Sequence, residues 1–207
     1  ADMDNDGDMD IVASSDNDSL QWYMNRGGQF SILTRDSAPE TITNGDQDAL
    51  LRLNISHNGR HGDTLIEPAT IHLLLEESDG DPLTQEEADN LIQAFSVYID
   101  DGSDVFESEN DTFIMKEADY LVEAGGYVII TLPDRHSDMD ISPGNTKTYF
   151  VVVHITGWAS GQTPGSFRIT HIAESSSTAQ DLDYDIDLIM SYSSNISTKI
   201  VEATGMV

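Results

Sequence analysis

The first ten residues, ADMDNDGDMD, carry five aspartates at alternate positions: Asp2, Asp4, Asp6, Asp8 and Asp10. Like charges packed this closely repel, and a bound cation is the simplest way to cancel them. Asp2, Asp4, Asp6 and Asp10 fit D-x-D-x-D-G-x-x-D, with Gly7 after the third carboxylate. Alternate carboxylates on a tightly turning loop converge on one point, and a hard cation such as Ca2+ takes about 6–8 oxygens at roughly 2.3–2.6 Å. Gly7 permits the positive φ of a sharp turn. Asp8 then offers its backbone carbonyl while its side chain faces water. An EF-hand shares the first half of this pattern, but it requires Glu at the twelfth loop position and a helix on each side. That position is Ala13 here, and Ile11-Val12-Ala13 reads as strand, which excludes the EF-hand. The competing account is a solvated acidic tail; the regular register and the direct run into an apolar strand argue against it.

A second acidic cluster lies in YIDDGSDVFESENDT, where Asp100, Asp101, Asp104, Glu107 and Asp111 surround a glycine turn. The oxygens of Asp100, Asp101, Asp104 and Glu107 suit a second Ca2+, and a solvated hairpin loop explains the same residues. In DLDYDIDLIM, Asp181, Asp183, Asp185 and Asp187 alternate with Leu182, Tyr184, Ile186 and Leu188. Period-two spacing places these carboxylates on one strand face, a wet face over a dry one in preference to a cation site. His57 and His61 in HNGRH have helical ligand spacing, but Asn58-Gly59 makes a turn there. His72, His154 and His171 fall in strand-like runs, where hydrogen-bonded structural histidines are the expectation. The sequence contains no nucleophile elbow, H-E-x-x-H helix, P-loop or G-x-G-x-x-G, and we read the chain as non-enzymatic.

Short elements must hold the first loop. Ile11–Ala13 and Leu20–Met24 flank a polar turn at Ser14–Ser19, the sequence form of a β-hairpin. With the aspartate loop and the ending WYMNRGGQF, in which Trp22, Tyr23, Asn25, Gly27, Gly28 and Phe30 are in place, residues 1–30 resemble the FG-GAP (VCBS-type) repeat of β-propellers. The resemblance implies a structural blade fragment with Ca2+ at Asp2, Asp4, Asp6, Asp8 and Asp10. Such a blade has four strands, so the remaining strands are expected from a longer parent protein or from another copy of the chain. In the second case a strand near the carboxyl end, Ile196–Ala203, is the expected donor. A head-to-tail contact of that kind propagates into a filament.

Composition narrows the function class. Lys and Arg total 9 against 38 Asp and Glu, a net charge of −29. Nucleic acids and anionic membranes are attracted by Lys and Arg, so neither is an expected partner. Such a surface suits cations or a saline milieu. There is no cysteine, which removes disulfides, thiol catalysis and cysteine-based zinc sites. No run of 18 apolar residues occurs, so no membrane-spanning helix is expected. Calcium sites of moderate affinity fill at extracellular concentrations, and the expected location is extracellular or at the cell surface. The start at Ala1 without a signal peptide is read as that of an excised or processed piece.

Residues 31–48 are polar, contain Pro39 and Gly45, and read as a connector. From residue 49 to 207 about nine strand-like runs are separated by turn signals such as Asn58-Gly59 and Asp101-Gly102. The predicted fold class is all-β: a partial blade hairpin followed by an immunoglobulin-like β-sandwich. One helix is expected over 84–95, with Thr84 as N-cap, Glu87 completing a capping box, Leu83 and Ala88 as a staple, and Leu91, Ile92 and Phe95 as the apolar stripe. Through LLRLNISHNGRHGDT, VYIDDGSDVFE and KTYFVVVHIT, this second module also resembles a bacterial surface domain found after FG-GAP repeats. That resemblance implies location more than activity. The alternative function is an accessory domain of a secreted hydrolase, with Trp158 as the candidate carbohydrate contact.

Overall fold

The computed structural model describes residues 3, 10–14, 20–23, 30–59, 61–172, 177–183, 185, 187–188, 190–192 and 195–205. In chain order the strands are β1 (Ile11–Ser14), β2 (Leu20–Tyr23), β3 (Phe30–Asp36), β4 (Thr41–Thr43), β5 (Gln47–His57) and β6 (Ile66–Glu76). The helix α1 (Gln85–Leu91) comes next, leading into β7 (Ile92–Ile99), β8 (Thr112–Glu117), β9 (Tyr127–Thr131) and β10 (Thr146–Ile155). The last strands are β11 (Ser166–His171), β12 (Thr178–Asp181), β13 (Met190–Tyr192), β14 (Ile196–Ser197) and β15 (Val201–Thr204).

These strands build an all-β sandwich beside a separate hairpin. One sheet runs β13-β3-β5-β10-β7-β8, and the other runs β12-β6-β11-β15-β4, with β14 added on β11 and β9 on β6. Long strands that alternate inward apolar and outward polar residues make the two faces, as in β5, where Leu51, Leu53 and Ile55 are buried. Those side chains meet Ile71, Leu73 and Leu75 of β6, Val128 and Ile130 of β9, and Phe167 and Ile169 of β11 in one contiguous core. β1 and β2 pair with each other, Val12 opposite Trp22, in a two-stranded sheet of their own.

Four expectations need correction or refinement. Residues 31–48, read as a connector, contribute strands to both sheets: β3 lies against β5, and β4 runs parallel to β15. The helix starts as expected, with the Thr84–Glu87 capping box formed and Leu83 and Ala88 buried, but it ends at Leu91. Ile92 and Phe95 belong to β7, because the run from Ile92 onward satisfies a strand period and gains β10 as a partner. In the aspartate-rich run, expected as one strand, Asp181 ends β12 and Leu182 and Asp183 are turn. The Asp181 carboxylate folds back to accept the Asp183 N–H at 3.1 Å, an Asx turn, and Asp185 has φ 54°. Finally, the carboxyl-terminal strand is not free to be donated, since β15 is enclosed between β11 and β4.

Candidate metal sites

Of the amino-terminal ligand set, Asp2, Asp4, Asp6 and Asp8 lie outside the described residues. Asp10 is described: it is buried, and its carboxylate accepts the Met3 N–H at 2.7 Å. That bond brings Met3 and Asp10 together just ahead of β1.

The second cluster is fully described. β7 ends at Ile99 and β8 begins at Thr112, and the intervening loop turns at Gly102 (φ 106°) and Asp104 (φ 66°). Its organising group is Asp111, a buried carboxylate that accepts the Asp101 N–H at 3.1 Å on one oxygen and the Glu107 N–H at 2.8 Å on the other. Asp100 accepts the Asp104 N–H at 3.1 and 3.3 Å, and Asp101 accepts the Ser103 N–H at 2.9 Å. A hydrophobic anchor adds to these bonds. The Phe106 ring packs edge-on, its centroid 5.1 Å from Tyr98 and 5.8 Å from Phe150, and pins the loop to the outer face of the first sheet.

This fold-back sorts the predicted ligands. One carboxylate oxygen from each of Asp100, Asp101 and Asp111 lies within 4.8 Å of the others, a spacing that a cation with oxygens at roughly 2.3–2.6 Å can bridge. Asp104 instead pairs with the Arg52 guanidinium on β5, and Glu107 accepts from the Asn110 side chain at 2.7 Å. Beside the loop, Gln47, Asp48, Phe106, Glu107 and Asn110 line an open groove of about 450 Å³. Burial raises the Asp48 pKa, with the Ala49 N–H partly opposing that rise.

Three histidines, His57, His154 and His171, serve the scaffold. His57 accepts the Gly59 N–H on Nδ1 at 3.0 Å and donates from Nε2 to the Thr64 carbonyl at 2.8 Å, so both ring nitrogens are committed. His154 meets the Ser96 hydroxyl through Nε2 at 2.7 Å; burial, reinforced by nearby Lys116, lowers its pKa to about 4. His171 links the two sheets: Nδ1 meets Thr34 Oγ1 of β3 at 2.6 Å, and Nε2 meets Ser177 Oγ at 2.9 Å. Burial, with His72 adding to it, holds His171 down at about 4. Sequence reasoning missed Glu67. It is buried on β6, and its carboxylate accepts the Arg135 N–H at 3.0 and 3.2 Å and the Gln180 amide at 3.0 Å. Nothing in the local IEPAT pattern marks it.

Comparison with known proteins adds a family for part of the chain. Residues 2–51 match the FG-GAP-like repeat family, a span that runs past the hairpin, through β3 and β4, into β5. No curated protein matches the chain. Among solved structures, one similar chain is AvmM, whose description is that it catalyses macrocyclization in alchivemycin A biosynthesis. It is 16% identical over 86% of this chain and 90% of that chain, with a TM-score of 0.39. Another is the sixth cohesin of scaffoldin B from Acetivibrio cellulolyticus, solved with a Cel5 dockerin, at 13% identity over 85% of this chain and 99% of that one, TM-score 0.37. A third, from a type I cohesin–dockerin complex of Clostridium thermocellum, is 14% identical over 88% and 99% of the two chains, TM-score 0.33.

Proposed function

We propose that this chain is a non-enzymatic structural or adhesive module displayed outside the cell and stiffened by Ca2+. The observation that carries the reading is the place of the aspartate loop in the chain. The D-x-D-x-D-G-x-x-D loop at Asp2–Asp10 falls inside the span that matches the FG-GAP-like repeat. Asp10 supports it, buried and bonded to Met3 across the segment. In this reading Asp2, Asp4, Asp6 and Asp10 supply carboxylates to Ca2+ and Asp8 its carbonyl, and the sandwich acts as spacer or contact surface. Asp100, Asp101 and Asp111 form the second candidate site. Bound Ca2+ ties down loops in a chain that has no cysteine with which to cross-link them. Self-association through strand pairing is part of the same reading.

Calorimetric titration with Ca2+ tests it. The expected result is saturable binding whose stoichiometry falls by one in Asp4→Ala and in Asp6→Ala; unchanged stoichiometry in both removes the amino-terminal site. A second reading, an accessory carbohydrate-contacting domain of a secreted hydrolase, draws on Trp158, which is exposed next to the single turn of 3-10 helix at Ala159–Gly161. Selective binding on a glycan array that is lost in Trp158→Ala would favour it over the first.

A further inference from the structure

In an antiparallel strand both backbone groups of a residue point to the same side, and successive residues alternate sides. Along β9, the Gly126 carbonyl accepts from the Leu75 N–H at 2.8 Å and the Leu132 N–H donates to the Ala69 carbonyl at 2.9 Å, so the even-numbered residues bond to β6. The odd-numbered residues face outward. There the Tyr127 carbonyl accepts the Glu123 N–H at 2.7 Å, whereas no strand among the described residues pairs with the outward N–H and C=O groups of Ile129 and Thr131. Natural edges are usually guarded by charge, proline or a bulge. YVIIT has neither charge nor proline, and its ladder with β6 runs without a register shift.

Both ends of this edge are acidic. Glu123 is exposed at the Tyr127 end. At the Thr131 end the outer face of the sheet sinks into a cavity of about 310 Å³, whose lining includes Glu67, Thr70, Thr131, Asp134, Gln180 and Asp185. Against these three carboxylates stands one guanidinium, that of Arg135, 3.1 Å from Asp185 and 3.8 Å from Asp134. Glu67 is buried and held by neutral donors, the Arg135 backbone N–H at 3.0 Å and the Gln180 amide at 3.0 Å. The cavity therefore keeps a negative excess, in a chain whose net charge is −29. Charge selects the occupant: a second copy brings the same excess and is repelled, whereas a basic segment is attracted.

We propose that the β9 edge takes up an extended, Lys- or Arg-bearing segment of a different protein as an added strand. Its backbone bonds to the outward groups of Ile129 and Thr131. The added strand lies about 4.8 Å from β9. A basic side chain opposite Thr131 on the outer face then reaches across Thr131 toward Asp134 and the cavity, its methylene stem along the sheet and its charged head among the carboxylates. The proposal rests on the contact-surface part of the proposed function and is independent of Ca2+ binding.

The test titrates the full chain into a fluorescein-labelled, capped short peptide of alternating Lys and Val, followed by anisotropy at about 0.15 M NaCl, where the Debye length is about 8 Å. A second peptide has the same side chains but methyl on every backbone nitrogen, so it keeps the charge and cannot donate to an edge. A third has Glu in place of Lys. The expected result is saturable one-to-one binding of the first peptide, weaker by about ten-fold or more for each of the others. Thr131→Pro deletes an outward N–H that makes no bond to β6; it should keep the parent circular dichroism and melting temperature and weaken the Lys peptide by about ten-fold. Asp134→Asn should weaken it by about three-fold. Absence of saturable binding overturns the proposal, and so does equal binding of the methylated peptide, which would be charge attraction alone. Should Thr131→Pro fail to fold, the methylated peptide still decides. Light scattering of the protein by itself is the remaining check: assembly that Thr131→Pro abolishes would give the edge to a second copy and overturn the assignment to a basic partner. Calorimetry with Ca2+ separates the readings. Ca2+ binding without peptide binding removes the strand site alone, and peptide binding without Ca2+ binding removes the calcium site alone.

Discussion

Single residues carry the polar architecture of this protein, and two of them make sharp predictions. Asp111 is buried, yet its charge is met by two backbone N–H groups that would otherwise be unpaired. Asp111→Ala should cost about 1–3 kcal/mol in urea denaturation, because it removes the acceptor and leaves both donors unsatisfied. Asp101→Ala, whose carboxylate meets a single exposed N–H, should cost clearly less, and equal losses would contradict the hub role. His171 is held neutral between the sheets at about 4, below its ordinary 6.5. The unfolded chain therefore binds the proton more readily, so this contribution is full above pH 6.5 and is lost as pH falls toward 4. By pH 5 the loss should reach about 2 kcal/mol. His171→Asn should start less stable at pH 7 and lose less between pH 7 and pH 5; identical slopes in the two proteins would contradict the assignment. The candidate sites were legible to different depths. Asp100, Asp101, Asp104, Glu107 and Asp111 could be gathered around one turn because a glycine turn is local chemistry. The organising role of Asp111, Glu67 and the Thr34–His171 bond could not be read, because what sets them apart from neighbouring polar residues is burial, and burial is decided by distant chain.

Elements show the same division between local and distant causes. The start of α1 is encoded within four residues: Thr84 Oγ1 accepts the Glu87 N–H at 3.4 Å, and Glu87 answers by accepting the Thr84 N–H at 2.8 Å. That N–H, with the Thr84 hydroxyl, holds the Glu87 carboxyl below the usual carboxylate range. Thr84→Ala should therefore cost about 1 kcal/mol, measured by chemical denaturation. A change within a few tenths of zero would show that docking of the helix, not its cap, fixes its start. The end of α1 was not legible, since Leu91, Ile92 and Phe95 satisfy a helical stripe as readily as the beginning of a strand, and only the presence of β10 decides. β5 through β11 were read as strand-like runs between turn signals, because they are rich in apolar and β-branched residues. β3 hid its alternation behind Thr34, an inward polar residue that is tolerated because His171 bonds it. β4 sends a single side chain, Ile42, into the core, too little signal for any pattern.

At the scale of the whole molecule, charge is the dominant fact. With 38 acidic and 9 basic side chains, compaction brings like charges together, and any salt should stabilise the fold by screening. Screening depends on ionic strength, whereas ligation depends on the ion. Ca2+ accepts 6–8 oxygens in a flexible shell, while Mg2+ requires a near-ideal octahedron and gives up water reluctantly. Melting curves in NaCl, MgCl2 and CaCl2 at matched ionic strength should therefore coincide for the first two and lie higher for the third. The excess should grow as RT ln(1 + [L]/Kd), reaching about 2.7 kcal/mol at about 100 times Kd for one site. Asp4→Ala with Asp6→Ala should remove the part of the excess due to the amino-terminal loop. Asp100→Asn with Asp101→Asn should remove the part due to the loop that Phe106 pins down. All four substitutions together should bring the CaCl2 curve onto the MgCl2 curve. If the three salts already superimpose in the unaltered protein, its acidity is a matter of screening alone, and calcium has no place in its structure.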